Sequence, residues 1–444
     1  MFSFLKKISS FQIILLGFAV IILLGSLLLM LPISVRGDGG ASFSDALFTS
    51  VSAVCVTGLV VRDTATYWSE FGQMVILFLI QIGGLGVVSA ASAISLIAGR
   101  KINLRQRSTM QEAISAPQMG GVVRLTGFIL KMTFIAELIG CLLLFPAFYK
   151  EFGYGKGLYY SVFHSVSAFC NAGFDLMGET AHFSSLTSFI GNPLVNITIM
   201  LLIISGGLGF STWEDFCTNR FRFKKYHLQS KIVLVTTAAL IVLPSVFFYV
   251  FEFSDWGMTT GNRVLASIFQ AVTPRTAGFN TVDFAAMKQG TLGMVIILML
   301  IGGSTGSTAG GIKTTTFAVL LTSAFSVMRS KKDTHLFGRR IDETTVCKAS
   351  ALLILYITLF FFGGVIICFT ENLPLLDCLF ESASAIGTVG LSMGLTPTLG
   401  TVSRIVLICL MFFGRVGGLT FVFAAFNPDR VDYSAFPLEK INIG

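Results

Sequence analysis

Charged side chains are scarce in this sequence: they make up 12% of its 444 residues, against roughly a quarter in a soluble domain. So few cannot cover a water-facing surface, which excludes an ordinary soluble globular protein. The four histidines are far apart, and the eight cysteines (Cys55, Cys141, Cys170, Cys217, Cys347, Cys368, Cys378 and Cys409) show no C-x-x-C spacing. No zinc site, His-based metal motif or disulfide framework can be read from them. Most of these cysteines lie in apolar runs, where the thiol acts as a small hydrophobe. Carboxylates are absent from the long apolar runs except for Glu137. That leaves no array of acids or histidines for a membrane-embedded enzyme, and the expectation is of a protein that is not an enzyme and carries no cofactor.

What the sequence has in abundance is hydrophobic residues, 54% of the chain, with a mean hydropathy of +0.80. Long apolar runs fall near 11–32, 71–98, 124–147, 190–213, 231–251, 291–328, 347–369 and 401–426. Each approaches or exceeds the roughly 20 residues that span a bilayer. The first run follows Lys6 and Lys7, but it is longer than the h-region of a signal peptide, and Pro32 and Arg36 follow it in place of a small-residue cleavage site. It is therefore expected to be a retained helix.

Between the members of each pair of runs lies a shorter apolar stretch that ends in glycine. The four read FTSVSAVCVTGL (Phe48 to Leu59), FHSVSAFCNAGF (Phe163 to Phe174), FQAVTPRTAGF (Phe269 to Phe279) and FESASAIGTVGL (Phe380 to Leu391). A helix of about 14 residues is only about 20 Å long, so it can enter a membrane but must turn back. The third copy is one residue shorter between its Phe and its Gly. Glycines repeat in the following runs as well: QIGGLG at Gln81, ISGGLG at Ile204, IGGSTG at Ile301 and GRVGGL at Gly414. The spacing of roughly 105 to 115 residues marks tandem repeats. The expected fold is an all-α polytopic membrane protein of four helix, pore-loop, helix repeats around a central pore, with eight membrane helices and four re-entrant pore helices. The repeats are expected over 1–110, 111–222, 223–340 and 341–444, the last including a C-terminal tail.

Lys and Arg cluster between repeats: Arg100, Lys101, Arg105, Arg107 and Arg124; Arg220, Arg222, Lys224, Lys225 and Lys231; Arg329, Lys331, Lys332, Arg339, Arg340 and Lys348. The positive-inside rule places these linkers and both termini in the cytoplasm, so the re-entrant loops enter from outside. Most acids, among them Asp38, Asp45, Asp63, Glu70, Asp175 and Glu179, then fall in outer loops. The net charge of +8 is accordingly a topology signal, and no nucleic-acid partner is expected.

Each short helix would point its partially negative C-terminal end at the membrane centre, which favours a cation there. Irregular backbone at that depth must line a polar cavity, and its carbonyls can replace an ion's water shell. The segment Gly302 to Thr316, GGSTGSTAGGIKTTT, interrupts an overlong run, so two half-helices are expected with a polar loop between them. It brushes against the phosphate-loop pattern, but Ile312 displaces Lys313 by one position and no strand precedes it. Arg415, deep in the last run, must face protein or water rather than lipid. Lys131 is expected to snorkel, and Glu137 to be a packing partner.

The four Gly-ended loops, the GGSTGSTAGGIKTT segment and the Arg in the last helix resemble the ion-conducting subunits of the Ktr/Trk/HKT superfamily of potassium transporters, most closely the KtrB type. The resemblance implies a potassium-selective filter built from the backbone carbonyls of Val56, Thr57 and Gly58; Asn171, Ala172 and Gly173; Thr276, Ala277 and Gly278; and Thr388, Val389 and Gly390. It implies an intramembrane gate over 302–316 that involves Gly302, Gly303, Gly306, Gly310, Gly311 and Lys313, with Arg415 in the path below the filter. It further implies a homodimer in the bacterial plasma membrane, in contact with lipid, and a cytosolic nucleotide-binding RCK-type (KtrA-like) regulatory subunit. Potassium is the expected transported ion, and the place of sodium is open. The alternative is a sodium- or proton-coupled secondary transporter.

Overall fold

The structure, a computed structural model, describes residues 9–37, 39–97, 104–114, 120–331 and 333–425. Expectations that rest on Lys6, Lys7, Asp38, Arg100, Lys101, Lys332 and the two chain ends lie outside the described residues. The described residues are mostly helical, with one short hairpin of β1 (His335–Leu336) and β2 (Arg339–Arg340).

In chain order the helices are α1 (Ser10–Leu29), α2 (Phe43–Val54), α3 (Glu70–Leu85), α4 (Val87–Ile97), α5 (Leu104–Ile114), α6 (Val122–Phe169), α7 (Pro193–Gly207), α8 (Phe210–Asn219), α9 (Leu228–Phe247), α10 (Thr260–Val272), α11 (Gln289–Leu300), α12 (Thr314–Met328), α13 (Glu343–Glu371), α14 (Leu375–Gly387), α15 (Thr401–Val416) and α16 (Gly418–Ala425). Their starts follow local chemistry. Ser42 accepts a bond from the Asp45 N–H, Ser69 from that of Gly72, and Asn192 from those of Leu194 and Val195 ahead of Pro193. In α6 one 48-residue helix joins a spanning segment to the second short helix, and the turn between them is made at Gly153, with φ +77°.

Among the described residues, four helices are long and apolar enough to cross a bilayer: Ser10–Leu29, Val122–Phe169, Leu228–Glu252 and Glu343–Glu371. The polar and apolar residues are distributed inside out. Large side chains such as Leu24, Leu142, Leu243 and Phe369 are exposed along these helices, while Ser50, Ser52, Ser165, Ser167, Thr273, Ser382 and Ser384 are buried. An apolar exterior over a hydroxyl-rich interior is what a lipid solvent selects, and the chain is a multi-pass membrane protein.

Glycine sets the approach of the spanning helices to the short ones. A Cβ at Gly25, Gly140 or Gly363 would press on the hydroxyl of Ser50, Ser165 or Ser382. Those hydroxyls donate to the carbonyls of Ile22, Glu137 and Phe360 at 2.6–2.7 Å. The third short helix has Ala271 at this place and lacks the bond.

One expectation is corrected. Hydropathy predicts a break only in the run 291–328 and continuous helix over 71–98, 190–213 and 401–426. The structure interrupts those three also, at Gly86 (φ +82°), Gly209 (φ +86°) and Gly417 (φ +90°). The bend between α7 and α8 reaches 96°. Left-handed backbone at these glycines ends the helical ladder even though hydropathy continues across it.

Candidate functional site

The four Gly-ended stretches come together. In each, the last turn of the short helix is followed by a residue with left-handed backbone: Val56 (φ +56°), Asn171 (φ +60°), Thr276 (φ +63°) and Thr388 (φ +50°). Two residues later Gly58 (φ +91°), Gly173 (φ +70°), Gly278 (φ +80°) and Gly390 (φ +90°) are left-handed again. The residue between the two is not, so the backbone alternates in hand and its carbonyls turn away from helical pairing.

A buried hydroxyl fixes each turn. The N–H of Thr57, Ala172 and Val389 donates at 2.8 Å to the carbonyl of Ser52, Ser167 and Ser384, and that of Ala277 donates at 3.0 Å to Thr273. The side chains of Ser52 and Ser384 accept from the N–H of Gly58 and Gly390 at 3.1 and 3.0 Å. Ser167 donates to the carbonyl of Phe174 at 2.7 Å, and Thr273 donates to that of Phe279. These hydroxyls were missed in the sequence. The signal was a Ser six residues before the Gly in three copies and a Thr five before it in the shorter third.

The turns meet as a closed ring. A Cβ on Gly58 would overlap the carbonyl oxygen of Ala172, and one on Gly173 would lie 2.8 Å from that of Ala277. A Cβ on Gly278 would lie 2.5 Å from the carbonyl oxygen of Val389, and one on Gly390 would overlap that of Thr57. First meets second, second third, third fourth, and fourth first. The Asn171 side chain belongs to the support of this ring, with its amide nitrogen donating to the carbonyls of Ala168 and Ile203 at 3.2 Å.

On the side of the acid-rich loops the four glycines form the floor of a cavity of about 460 Å³ whose lining includes Asp63, Asp175 and Asp283 and no Lys or Arg. Asp63 is saturated: it accepts from the N–H groups of Ala65, Thr66 and Phe183 and from the Thr66 hydroxyl, at 2.9–3.0 Å. Asp175 accepts one bond, from the Met177 N–H at 3.0 Å. Burial pushes its pKa up to about 7; the Met177 bond opposes this and the charge of Asp63 adds to it.

Below the ring lies the irregular segment between α11 and α12. Gly302 donates to the carbonyl of Ile312 at 2.8 Å, Thr314 to that of Gly303 at 3.0 Å and Phe210 to that of Gly306 at 2.9 Å. Gly306 and Gly311 are left-handed (φ +69° and +66°), and a Cβ on Gly310 would overlap the Thr388 hydroxyl. Lys313 Nζ donates back to the carbonyl of Ala309 at 2.7 Å. Thr308 ties the segment to the second unit: its N–H donates to the Gly206 carbonyl at 3.2 Å and its hydroxyl to that of Phe169 at 3.1 Å. From α15 the Arg415 guanidinium donates to the carbonyls of Thr308, Gly83 and Gly84. Arg415 and Lys313 both line a cavity of about 140 Å³ there. Lys313 and Arg415 thus lie together with the glycines of the 302–316 segment, and Thr308, within that segment, ties it to the second unit. Glu137 is apart from it, buried with its carboxylate 4.0 Å from Cys170 Sγ.

Residues 9–430 match the family model described as TrkH, cation transport protein. The chain is 44% identical to the Ktr system potassium uptake protein B of Bacillus subtilis, over 93% of its own length and 92% of the relative's. It is 39% identical to the potassium/sodium uptake protein NtpJ of Enterococcus hirae, over 99% and 98%. The crystal structure of the potassium transporter TrkH from Vibrio parahaemolyticus matches with a TM-score of 0.75 at 18% identity, over 95% of this chain and 86% of that one, a likeness of fold.

Proposed function

Since the chain belongs to the TrkH family of cation transport proteins, we propose that it takes up potassium through the ring of four Gly-ended turns. Val56–Gly58, Asn171–Gly173, Thr276–Gly278 and Thr388–Gly390 form the filter, and their backbone carbonyls stand in for the ion's water shell. The observation that carries this reading is the closure of the ring: each glycine abuts a carbonyl of the next turn, where any side chain would intrude. The divisions at 110, 222 and 340 then bound four repeats with one turn each.

The segment 302–316 is the gate. It lies against Thr388 from below and is held from three sides by Arg415, Gly206 and Phe169. Conduction requires it to withdraw, and control comes from a cytosolic nucleotide-binding RCK-type subunit acting on the basic linkers, since the relative from Bacillus subtilis is named as one protein of a Ktr system. The working unit is a homodimer in the bacterial plasma membrane with both termini cytoplasmic, and each subunit keeps its own pore. Sodium is a candidate second ion, because the relative from Enterococcus hirae is named for both.

Reversal potentials of the purified protein in bilayers, with potassium and sodium varied separately, test this. Conduction through a potassium filter makes the potential follow the potassium gradient. A potential fixed by both gradients in a constant ratio, or by the proton gradient, would replace the filter reading with coupled transport.

A further inference from the structure

Directly before the turn, three of the copies carry a neutral residue: Cys55, Cys170 and Gly387. The third carries Arg275. Its side chain is 5% exposed. One hydrogen bond holds it, from Nη2 to the Thr237 hydroxyl of α9 at 3.2 Å, while Nε has no partner. Among the described residues no carboxylate pairs with it. A guanidinium remains ionised in such a place, and a buried, unpaired charge is costly to retain. The other three turns close with Cys or Gly at this place, so a charge here calls for a role beyond closing the turn.

The position supplies one. Thr237 holds the charge on the α9 side, behind the turn, and Arg275 is bonded through the backbone to Thr276, the first residue of the turn. At the ends of α2, α6 and α14 the residue at this position is itself uncharged and the partial negative charge of the helix terminus favours a cation, although the Arg415 guanidinium stands within electrostatic reach of Cys55 and Cys170. At the end of α10 a full positive charge opposes the helix terminus. Shielding by water is weak because the site is buried, so the field reaches an ion in the ring.

On the reading of the ring as a potassium filter, we propose that Arg275 is a specificity-determining residue that weakens cation binding in the quarter formed by Thr276, Ala277 and Gly278, in proportion to the charge of the ion. Potassium is held loosely enough to leave, and divalent cations of similar radius are disfavoured more steeply.

The experiment measures potassium uptake and its inhibition by Ba²⁺ with full-length protein in proteoliposomes, for wild type, Arg275→Met, Arg275→Gln and Arg275→Lys. Gln keeps a polar N–H donor without the charge, and Lys keeps the charge. Both neutral variants should tighten the apparent potassium affinity about tenfold and Ba²⁺ inhibition about a hundredfold, because the interaction energy doubles for a divalent ion. Lys should stay near wild type. Neutral variants that match wild type overturn the proposal, and so do equal shifts for the two ions, which a change of shape would give. If both neutral variants fail to fold while Lys folds, the charge serves assembly and the proposal again falls. Wild-type protein without potassium-selective flux would instead overturn the filter reading itself.

Discussion

If the 302–316 segment is the gate proposed above, replacing Arg415 with Ala separates its effect from that of the ring. The guanidinium bridges two parts of the protein: it donates to Thr308 in the 302–316 segment and to Gly83 and Gly84 at the end of α3. Withdrawal of the segment breaks the Thr308 bond and leaves the α3 bonds intact, so only the first contributes to the balance between closed and open. A hydrogen bond from a charged donor contributes about 1.5–3 kcal/mol, and at 1.4 kcal/mol per factor of ten its loss raises the open fraction roughly 10- to 150-fold. The lower end is the better expectation, because the Thr308 N–H and hydroxyl still hold the segment to Gly206 and Phe169. Removal of the positive charge beneath the ring adds to the leak. Rubidium flux into proteoliposomes made without any partner protein reads this directly, and the preference for potassium over sodium should not change. A variant that shortens Gly302–Gly311 by several residues should leak still more. If Arg415→Ala is folded and conducts at the wild-type rate, and the shortened variant does too, the segment is no barrier and is only a Gly-rich kink that lets helices pack.

Ser substituted at Gly58, Gly173, Gly278 or Gly390 should lower potassium preference at least about tenfold, the equivalent of 1.4 kcal/mol. Each site combines left-handed backbone, which costs a side chain roughly 1–2 kcal/mol, with a neighbouring carbonyl in the way. Gly290→Ser, where a Cβ meets open space, should leave uptake competition between potassium and sodium unchanged; equal behaviour of the five variants would remove the glycines from the filter. Outside pH should also matter. The Asp175 pKa is raised to about 7 from an unfolded value near 4, so the folded outer cavity binds the extra proton. Its contribution to stability is therefore greatest at low pH and declines as pH rises through 7. For ion capture the sign reverses: between pH 6 and 8 the cavity gains a negative charge beside Asp63 and Asp283, and apparent potassium affinity should improve. Asp175→Asn should abolish that dependence in uptake assays, and a slope that survives the substitution would exclude Asp175 as its source.

Those parts of the architecture that depend on repetition could be read from the sequence. The Gly-ended stretches, the GG pairs and the basic linkers recur at matched spacing, and together they give the membrane class, the helical fold and the grouping of the four turns. What escaped was set by backbone geometry. Gly86, Gly209 and Gly417 lie inside apolar runs, and nothing in hydropathy separates a glycine that continues a helix from one that turns left-handed. The hydroxyls of Ser52, Ser167, Thr273 and Ser384 were visible as letters, but their partners are reached only after the chain reverses. Arg275 was hidden because the third copy is shorter: the alignment slips at the place where its charge replaces Cys or Gly, and the structure puts the missing residue between Thr273 and Gly278.

The features shared by the four turns and the features confined to one of them do different work. The left-handed residue, the buried hydroxyl and the glycine against a carbonyl recur, and they build the ring. The positive charges at the ring and directly beneath it do not recur. Arg275 belongs to the third turn, Arg415 to the fourth unit and Lys313 to the third. In a ring of four identical subunits any such residue would appear four times at equal distance from the axis. Four guanidiniums beneath a cation path would multiply the opposing energy fourfold, enough to turn a tenfold weakening of binding into one of about 10⁴. Repeats joined in one chain can diverge singly, so one positive charge can adjust an ion's affinity or latch a gate without closing the path. On the proposed reading of the ring as a filter and the 302–316 segment as its gate, the asymmetry of the copies is the means by which one repeated motif acquires a gate and a graded hold on its ion.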